Sequence, residues 1–303
     1  MAPFPVRVIR GIARVGEHVA PRLTGQLAFR LFCRTPNPGS LSDGERRAVG
    51  QAAEFMTGAR SHRLAIRSGS VVAHEFLPGQ GLGQPGTVLV VHGWRSRTEY
   101  MKALIQGFVR AGYRVISLDL PGHGQSPGRY LNLALALDAV RAADERFGPF
   151  SAVVGHSFGG AVAANAVVGS VRGIPPLRAS RLVLVASPAS MPDLFEDFGR
   201  TINLGPRSRM SLAKEINRIT GHPLSEFVGD RQLSRTSVPT LVIHAAEDRE
   251  VPADHARLFA KAGEHVRLHW ADGLGHRRIL SNPGVVAETV GFITGERQTQ
   301  QVH

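Results

Sequence analysis

The chain has 303 residues, enough for one large α/β domain or for two smaller domains. Hydrophobic residues make up 43% of it and charged residues 20%, as in soluble globular proteins, and no apolar run approaches the roughly 18 residues of a membrane span. The formal charge of +12 comes almost wholly from arginine. No helix-turn-helix, zinc or RNA-binding motif accompanies it, so we expect no nucleic-acid function.

Cysteine usage and the first residues bear on the compartment. Cys33 is the single cysteine, so no disulfide can form within the chain. The first residues include arginines but lack the compact apolar segment and the small-residue cleavage site of a secretory signal. We therefore expect a cytoplasmic protein, with a peripheral position at the inner face of a membrane as the alternative.

The chain opens with a basic amphipathic segment. Over residues 6–20 the apolar side chains fall on one half of a helical wheel, and Arg7, Arg10 and Arg14 fall on the other. A second predicted helix, residues 21–33, follows directly. This arm either packs its apolar face on the rest of the protein, or lies on an anionic membrane surface or over the active site. The pattern favours packing.

A third helix and an edge hairpin follow. Ser42 and Glu45 have the spacing of a capping box, which predicts a helix that begins there and extends to about Met56. Residues 62–66 and 71–77 are predicted to form two strands around a tight turn, an antiparallel hairpin at a sheet edge. We therefore assign residues 1–60 to a helical N-terminal arm.

The loop after the hairpin contains a glycine motif similar to a dinucleotide-binding pattern. Gly81, Gly83 and Gly86 have the Gly-x-Gly-x-x-Gly spacing, but Pro85 stands among them and a strand follows instead of a helix. A phosphate site of this type needs a helix N-terminus behind the glycines. We predict a flexible loop here.

From residue 87 onwards strands and helices alternate. The predicted strands are residues 87–91, 114–118, 150–156, 182–186, 240–244 and 265–270, and helices lie between and after them. This alternation is typical of an α/β fold whose mostly parallel sheet has helices on both faces. We assign residues 61–186 and 238–295 to this core and residues 296–303 to a polar tail.

The alternation stops over residues 187–237. This stretch has no convincing central strand, and its apolar residues, Phe195 and Phe198 among them, have the spacing of short helices. The insertion is too long for an ordinary connection. We interpret it as a helical cap over the carboxyl ends of the strands, where open α/β sheets bind ligands. Phe195 and Phe198 are then candidates for substrate contact, and the alternative is a helical decoration away from the site.

A short motif within the core carries the chemistry. Gly155, Ser157 and Gly159 form Gly-x-Ser-x-Gly between a β-branched run and a stretch of small residues. This describes a strand that turns sharply into a helix, with Ser157 at the apex and the glycines preventing clashes between the two elements. The alternative is a glycine-rich turn with an incidental serine.

Over about residues 62–294 the chain resembles the α/β-hydrolase superfamily. The resemblance rests on motifs that follow successive strands, namely His92-Gly93-Trp94, Asp119-x-x-Gly-x-Gly-x-Ser126, the serine motif, Asp248 and His276. Within the superfamily the chain looks like capped esterases, monoacylglycerol-lipase-like enzymes and serine aminopeptidase-like proteins. The α/β-hydrolase fold with a helical cap is therefore the expected architecture.

The resemblance implies a catalytic triad of Ser157, Asp248 and His276. A serine hydroxyl needs a base that takes its proton, and that histidine needs a carboxylate that fixes its tautomer. The chain order serine, acid, histidine is that of these hydrolases. By the same resemblance, the backbone N–H groups of Trp94 and Phe158 form the oxyanion hole.

Neighbouring polar residues have other interpretations. Glu247 is the alternative acid, although its loop position favours Asp248. Asp119 and His123 are expected to hold a turn, and the remaining histidines beside the site, His92 and His156, to pack or hydrogen-bond. The histidines at 255, 265 and 269 do not share one predicted helix, so we infer no metal site and no cofactor.

The expected function is that of a cofactor-free serine hydrolase. Its substrate is predicted to be a small molecule, a carboxylic ester or related acyl compound with an apolar group that the apolar cap residues would contact. A thioesterase, an acyltransferase or a peptidase would use the same first half-reaction and remain alternatives. A non-enzymatic binding protein with this fold is the rival from another class.

Overall fold

The computed structural model describes residues 4–37, 39–79, 81 and 85–295, and its centre is an eight-stranded sheet. The strands are β1 (Ala59–Ile66), β2 (Gly69–Phe76), β3 (Thr87–Val91), β4 (Arg114–Asp119), β5 (Phe150–His156), β6 (Ala179–Val185), β7 (Thr240–His244) and β8 (Val266–Trp270). Their order in the sheet is β1-β2-β4-β3-β5-β6-β7-β8. β1 pairs antiparallel with β2, as does β2 with β4, and all later pairs are parallel. The predicted edge hairpin and mostly parallel sheet are confirmed.

The helices lie before, between and after the strands. They are α1 (Phe4–Val19), α2 (Pro21–Phe32), α3 (Asp43–Gln51), α4 (Ala53–Thr57), α5 (Lys102–Arg110), α6 (Leu133–Phe147), α7 (Phe158–Val168), α8 (Met191–Thr201), α9 (Pro206–Thr220), α10 (Gly229–Leu233), α11 (Asp254–Ala260), α12 (Gly275–Arg278) and α13 (Pro283–Thr294). Short 3-10 helices occupy Thr98–Met101, Leu224–Glu226 and Ile279–Ser281. The helix predicted from the capping box is divided at Ala52 into α3 and α4.

The sheet is buried on both faces. In the central strand β3, Leu89 and Val91 join one buried apolar cluster, while Val88 and Val90 join another on the opposite face. The first cluster contains side chains of α6 and α7, and the second contains side chains of α5 and α13. Successive residues of a strand point to opposite faces, so a sheet covered twice needs continuous apolar strands. The predicted helices on both faces are confirmed.

The residues between β6 and β7 form α8, α9, a 3-10 helix and α10. Ser190 and Val228 make an isolated antiparallel bridge, and no regular strand occurs in this part of the described chain. α9 packs against α2 of the arm, so the arm and this helical segment lie together. The division of the chain into arm, core and cap at the predicted boundaries stays a prediction.

Two other predicted segments lie partly or wholly outside the described residues. Residues 82–84 of the glycine motif, residue 80 just before it, and all of the tail 296–303 lie outside the described residues. β3 begins at Thr87 directly after Gly86, so the motif opens no helix. Among the helices that are described, none is both long enough and apolar enough to cross a membrane.

Candidate active site

Ser157 lies between the end of β5 and the first residue of α7. Its φ is 52° and its ψ is −127°, a backbone conformation that residues other than glycine rarely adopt and that costs on the order of 1–3 kcal/mol. The Ser157 N–H donates a hydrogen bond to the carbonyl oxygen of Val185 on β6, at 2.9 Å. The surrounding strands thus hold the serine in the sharp turn that its motif predicts.

The glycines of the turn allow the helix to approach the strands closely. A Cβ on Gly155 would lie 2.5 Å from the Cα of Gly160, and a Cβ on Gly159 would overlap the carbonyl oxygen of Val91. Both contacts are with backbone, which cannot move aside as a flexible side chain can. The close packing of α7 on β5 and β3 therefore requires glycine at both positions.

Asp248 and His276, from the loops after β7 and β8, are hydrogen-bonded to each other. His276 Nδ1 lies 2.8 Å from Asp248 Oδ2, while Asp248 Oδ1 accepts from the N–H groups of Glu250 (2.8 Å) and Val251 (3.0 Å). Burial works to raise the pKa of Asp248, but the hydrogen bonds from His276, Val251 and Glu250 outweigh it and lower that pKa. The carboxylate stays ionised and fixes Nδ1 as the donor, which leaves Nε2 free to accept a proton.

Glu247, the alternative acid, has a different partner. Its Oε1 accepts a hydrogen bond from the N–H of Gly275 at 2.8 Å. Gly275 directly precedes His276, so this bond ties together the two loops that carry Asp248 and His276. The geometry places Asp248, and not Glu247, on the imidazole.

Ser157 and His276 line the same cavity. Within the described part of the chain no hydrogen bond joins their side chains, and His276 Nε2 lies 4.0 Å from Glu250 Oε2. Catalytic hydrogen bonds of free enzymes are often long and tighten when substrate binds. Glu250 is itself held by Arg277, whose Nε donates to Glu250 Oε1 at 2.9 Å. The arrangement brings the three predicted triad residues to one site.

The predicted oxyanion-hole amides belong to the loop after β3 and to the start of α7. Phe158 is the first residue of α7, a position whose N–H has no partner within the helix. Within the described residues, the N–H groups of Trp94 and Phe158 donate none of the backbone hydrogen bonds found in turns, loops and caps. His92 fixes the turn before Trp94, because its Nδ1–H donates to Gly93 O at 2.8 Å and its Nε2 accepts from Leu120 N–H at 3.0 Å.

The loop after β4 has a structural role. Asp119 is fully buried and accepts hydrogen bonds from the N–H groups of Thr98 (3.0 Å) and Gln125 (2.8 Å) and from His74 Nε2 (3.1 Å). Burial works to raise its pKa, but these bonds and the nearby His92 hold it well below its usual range. Asp119 therefore joins this loop to the loop after β3.

Two further buried histidines stand beside the site. His156 Nε2–H donates to the carbonyl oxygen of His276 at 2.9 Å, which connects the end of β5 to the histidine loop. Burial, and then the proximity of His276, lowers the pKa of His156 to about 3. Burial and the proximity of His92 lower the pKa of His123 to about 4, and its ring packs edge-on against Trp94 with centroids 5.4 Å apart. Both imidazoles are neutral at pH 7.

The cavity that contains Ser157 has a volume of about 1260 Å³. Phe195 and Phe198 of α8 line it, as do Phe29 and Phe32 of α2. The Phe32 ring lies 4.4 Å from the Phe195 ring and 5.1 Å from the Phe198 ring, centroid to centroid. The side chains of α2 and α8 therefore form one aromatic wall of the cavity that contains Ser157.

The arm contributes two cavity residues, Phe29 and Phe32, that the sequence motifs did not indicate. The available signal was the spacing of two phenylalanines three residues apart on α2, which matches Phe195 and Phe198 on α8. Cys33, at the end of α2, also lines the cavity. Burial raises the pKa of its thiol to about 12, so it is a poor nucleophile. Among the residues that the structure describes, no cluster of three or more His, Cys, Asp or Glu side chains could hold a metal ion.

Comparisons with known proteins show the family of this chain. Residues 88–289 match the model of a family described as the alpha/beta hydrolase family. A pimeloyl-[acyl-carrier protein] methyl ester esterase of Xanthomonas campestris is 26% identical over 248 residues, which cover 69% of this chain and 95% of that protein.

A second relative matches this chain over only part of its own length. The dihydrolipoyllysine-residue acetyltransferase component of the acetoin cleaving system of Cupriavidus necator is 36% identical over 239 residues, 63% of this chain. The chain matches 62% of the length of that relative. Among solved structures, naproxen esterase from Bacillus subtilis superimposes with a TM-score of 0.58 at 15% identity, over 84% of this chain and 99% of that one. The last likeness concerns the fold alone.

Proposed function

Because the chain belongs to the alpha/beta hydrolase family, we propose that it is a serine hydrolase that cleaves a carboxylic ester through an acyl-enzyme on Ser157. The observation that carries this proposal is the 2.8 Å hydrogen bond between Asp248 and His276, at a cavity that also contains Ser157. A nucleophile, a base and a carboxylate that orients the base are the groups that acyl transfer requires.

Acylation would begin with attack of Ser157 Oγ on the ester carbonyl carbon. His276 Nε2 takes the hydroxyl proton, and Asp248 stabilises the imidazolium that forms. The negative charge on the carbonyl oxygen would be met by the N–H groups of Trp94 and Phe158. When the tetrahedral intermediate collapses, the C–O bond to the alcohol breaks, and His276 returns the proton to the departing oxygen.

Deacylation repeats these steps with water as the nucleophile. His276 takes a proton from the water, whose oxygen attacks the acyl carbon, and the bond to Ser157 Oγ breaks as the proton returns to that oxygen. The product is a carboxylic acid, and the serine is regenerated. A thioester or an amide would enter by the same first step, so the triad does not itself choose between them. The relative named as a methyl ester esterase favours the ester.

The cavity lining supports a substrate with an apolar acyl or alcohol group. The aromatic wall of α2 and α8 covers one side of the cavity, and further apolar side chains, Met191, Leu194 and Ile216, extend it. Polar and charged side chains, such as Arg95 and Glu99, lie elsewhere in the lining. Ligand sites commonly combine an apolar surface with a few polar groups that orient the ligand.

Labelling and turnover of Ser157→Ala test the proposal. The wild-type protein should react with a fluorophosphonate probe, and the alanine variant should lose both the label and about four or more orders of magnitude of ester turnover. Ser281→Ala is the matched control, because Ser281 lines the same cavity but lies outside the triad, and it should keep both. Wild-type turnover by Ser157→Ala would contradict the assignment.

A further inference from the structure

The N-terminal helices expose an unusual amount of apolar surface. Of nine large apolar side chains that the described residues expose, seven belong to α1 and α2, and they are Val8, Ile12, Val15, Val19, Leu23, Leu27 and Leu31. At 100° per residue the four on α1 fall within a narrow arc, and the three on α2 do the same. We call these seven residues the apolar stripe. The expectation that the arm packs its apolar face on the protein is wrong for these side chains.

The opposite side of α1 is anchored to the protein, which explains why the stripe faces outward. Ala13 and Glu17 are buried, and both oxygens of Glu17 bind the start of α9. Oε1 accepts from the N–H of Arg207 at 2.9 Å, and Oε2 accepts from the N–H and the hydroxyl of Ser208 at 3.0 and 2.6 Å. The two N–H groups belong to the first turn of α9, where backbone N–H groups have no partner within the helix. Ala13 and Glu17 hold this side of α1 on the protein, so the four stripe residues on its other side remain on the surface.

The charge on the arm itself has one sign. The arginines of the arm, Arg7, Arg10, Arg14, Arg22, Arg30 and Arg34, are exposed. Within residues 4–37 the one acidic side chain is Glu17, which is turned inward onto α9. On the wheel of α1, Arg7 and Arg14 flank the stripe on the side away from the packed face. An apolar strip bordered by arginines is complementary to an anionic lipid surface.

The stripe leads to the cavity. Leu31 is exposed and also lines the cavity that contains Ser157. Leu23 and Leu27 precede it at helical spacing on the same face of α2. The next residue, Phe32, belongs to the aromatic wall inside the cavity. A bilayer that contacted the stripe would therefore meet the rim of the cavity. A second copy of the chain would explain the apolar residues but not the single sign of the exposed charge on the arm.

We propose that α1 and α2 lie on the surface of an anionic membrane, with the apolar stripe in the interface and the arginines at the headgroups. The cavity rim at Leu31 then faces the lipid, so that an apolar substrate can pass from the bilayer towards Ser157. The location of the stripe does not depend on the proposed esterase activity. Only the passage of substrate rests on that function, and the binding test below separates the two.

Cosedimentation of the full chain with lipid vesicles is the test. The protein should bind vesicles that contain phosphatidylglycerol but not vesicles of phosphatidylcholine alone. Binding should fall as salt rises from about 0.1 to about 1 M, because the screening length shrinks from about 10 to about 3 Å. Arg7→Gln with Arg14→Gln should weaken binding about 25-fold, since each basic residue near such a surface contributes about fivefold.

A second variant isolates the apolar contribution. Ile12→Glu with Val15→Glu places two charges on side chains that are 66% and 64% exposed, so the melting temperature should not change while vesicle binding is lost. Leu77→Glu is the matched control, because Leu77 is exposed but lies beyond the hairpin strand β2, and it should bind as the wild type does. Ser157→Ala should bind equally well, which distinguishes failure of this proposal from failure of the esterase assignment.

Three results would overturn the proposal. They are no binding to anionic vesicles, equal loss of binding in Leu77→Glu, and a change from dimer to monomer on introducing Ile12→Glu and Val15→Glu in a protein that binds no vesicles. The last result would assign the stripe to a second copy of the chain.

Discussion

Glu247 and Asp248 are adjacent carboxylates with different partners, and their substitution tests the acid of the triad. Asp248→Asn should lower kcat by about 10⁴-fold, because an amide no longer fixes the tautomer of His276 or stabilises its imidazolium. Glu247→Gln removes charge from a side chain that binds Gly275 N–H and should change kcat less than tenfold. Steady-state kinetics with one chromogenic ester measures both. A larger loss in Glu247→Gln would transfer the acid role to Glu247.

The lowered pKa of His123 makes the free energy of unfolding depend on pH. Its folded pKa is about 4 against an ordinary value of 6.5, so between these values the unfolded chain binds more protons than the folded one. The contribution of neutral His123 to folding stability is therefore fully present above pH 6.5, and it is lost as the pH drops from 6.5 towards 4. For this one histidine the slope is about 1.4 kcal/mol per pH unit.

Urea unfolding of His123→Asn at several pH values measures this contribution. The variant should show a shallower decline of the free energy of unfolding between pH 6.5 and pH 4 than the wild type does. His18→Asn, at an exposed position of α1, is the control and should keep the wild-type slope. Parallel curves for His123→Asn and the wild type would show that protonation of His123 does not oppose folding.

At the scale of elements, the contact between α1 and α9 depends on Glu17. Burial works to raise the pKa of this carboxyl, but the hydrogen bonds from Ser208 and Arg207 lower it. A carboxylate at a helix N-terminus also interacts favourably with the helix dipole. Glu17→Ala should therefore lower the free energy of unfolding by about 1–2 kcal/mol, within the range for loss of a helix cap.

Thermal unfolding with a matched glutamate tests this prediction. Glu54→Ala, on the exposed side of α4, should leave the melting temperature nearly unchanged, whereas Glu17→Ala should lower it. If the two variants melt at the same temperature as the wild type, Glu17 does not stabilise the packing of the arm on α9.

The elements that could be predicted from sequence are those whose signals are local. β3 and β7 have the predicted bounds, because a continuous β-branched run between breakers describes a strand buried on both faces. The capping box of α3 is present, with Ser42 Oγ accepting from Glu45 N–H at 3.4 Å and Glu45 Oε2 accepting from Ser42 N–H at 2.8 Å. The outward turn of the apolar stripe could not be predicted, because it depends on where α9 begins.

At the scale of the whole molecule, the candidate site was predictable because its residues follow strand ends. Parallel strands place the loops after β3, β5, β7 and β8 at one edge of the sheet, so residues distant in sequence meet there. The arm was outside this logic. Phe32 meets Phe195 and Phe198, and α2 packs on α9, through contacts between segments far apart in the chain that no local pattern encodes.

Mass spectrometry of the protein during turnover of a slow chromogenic ester tests whether Ser157 forms an acyl-enzyme. Acylation of Ser157 predicts a burst of about one equivalent of alcohol, and a mass increase equal to the acyl group on the peptide that contains Ser157. Both should be absent in Ser157→Ala. Hydrolysis of the ester without a burst, and without an acylated Ser157 peptide in samples quenched by acid, would contradict an acyl-enzyme on Ser157.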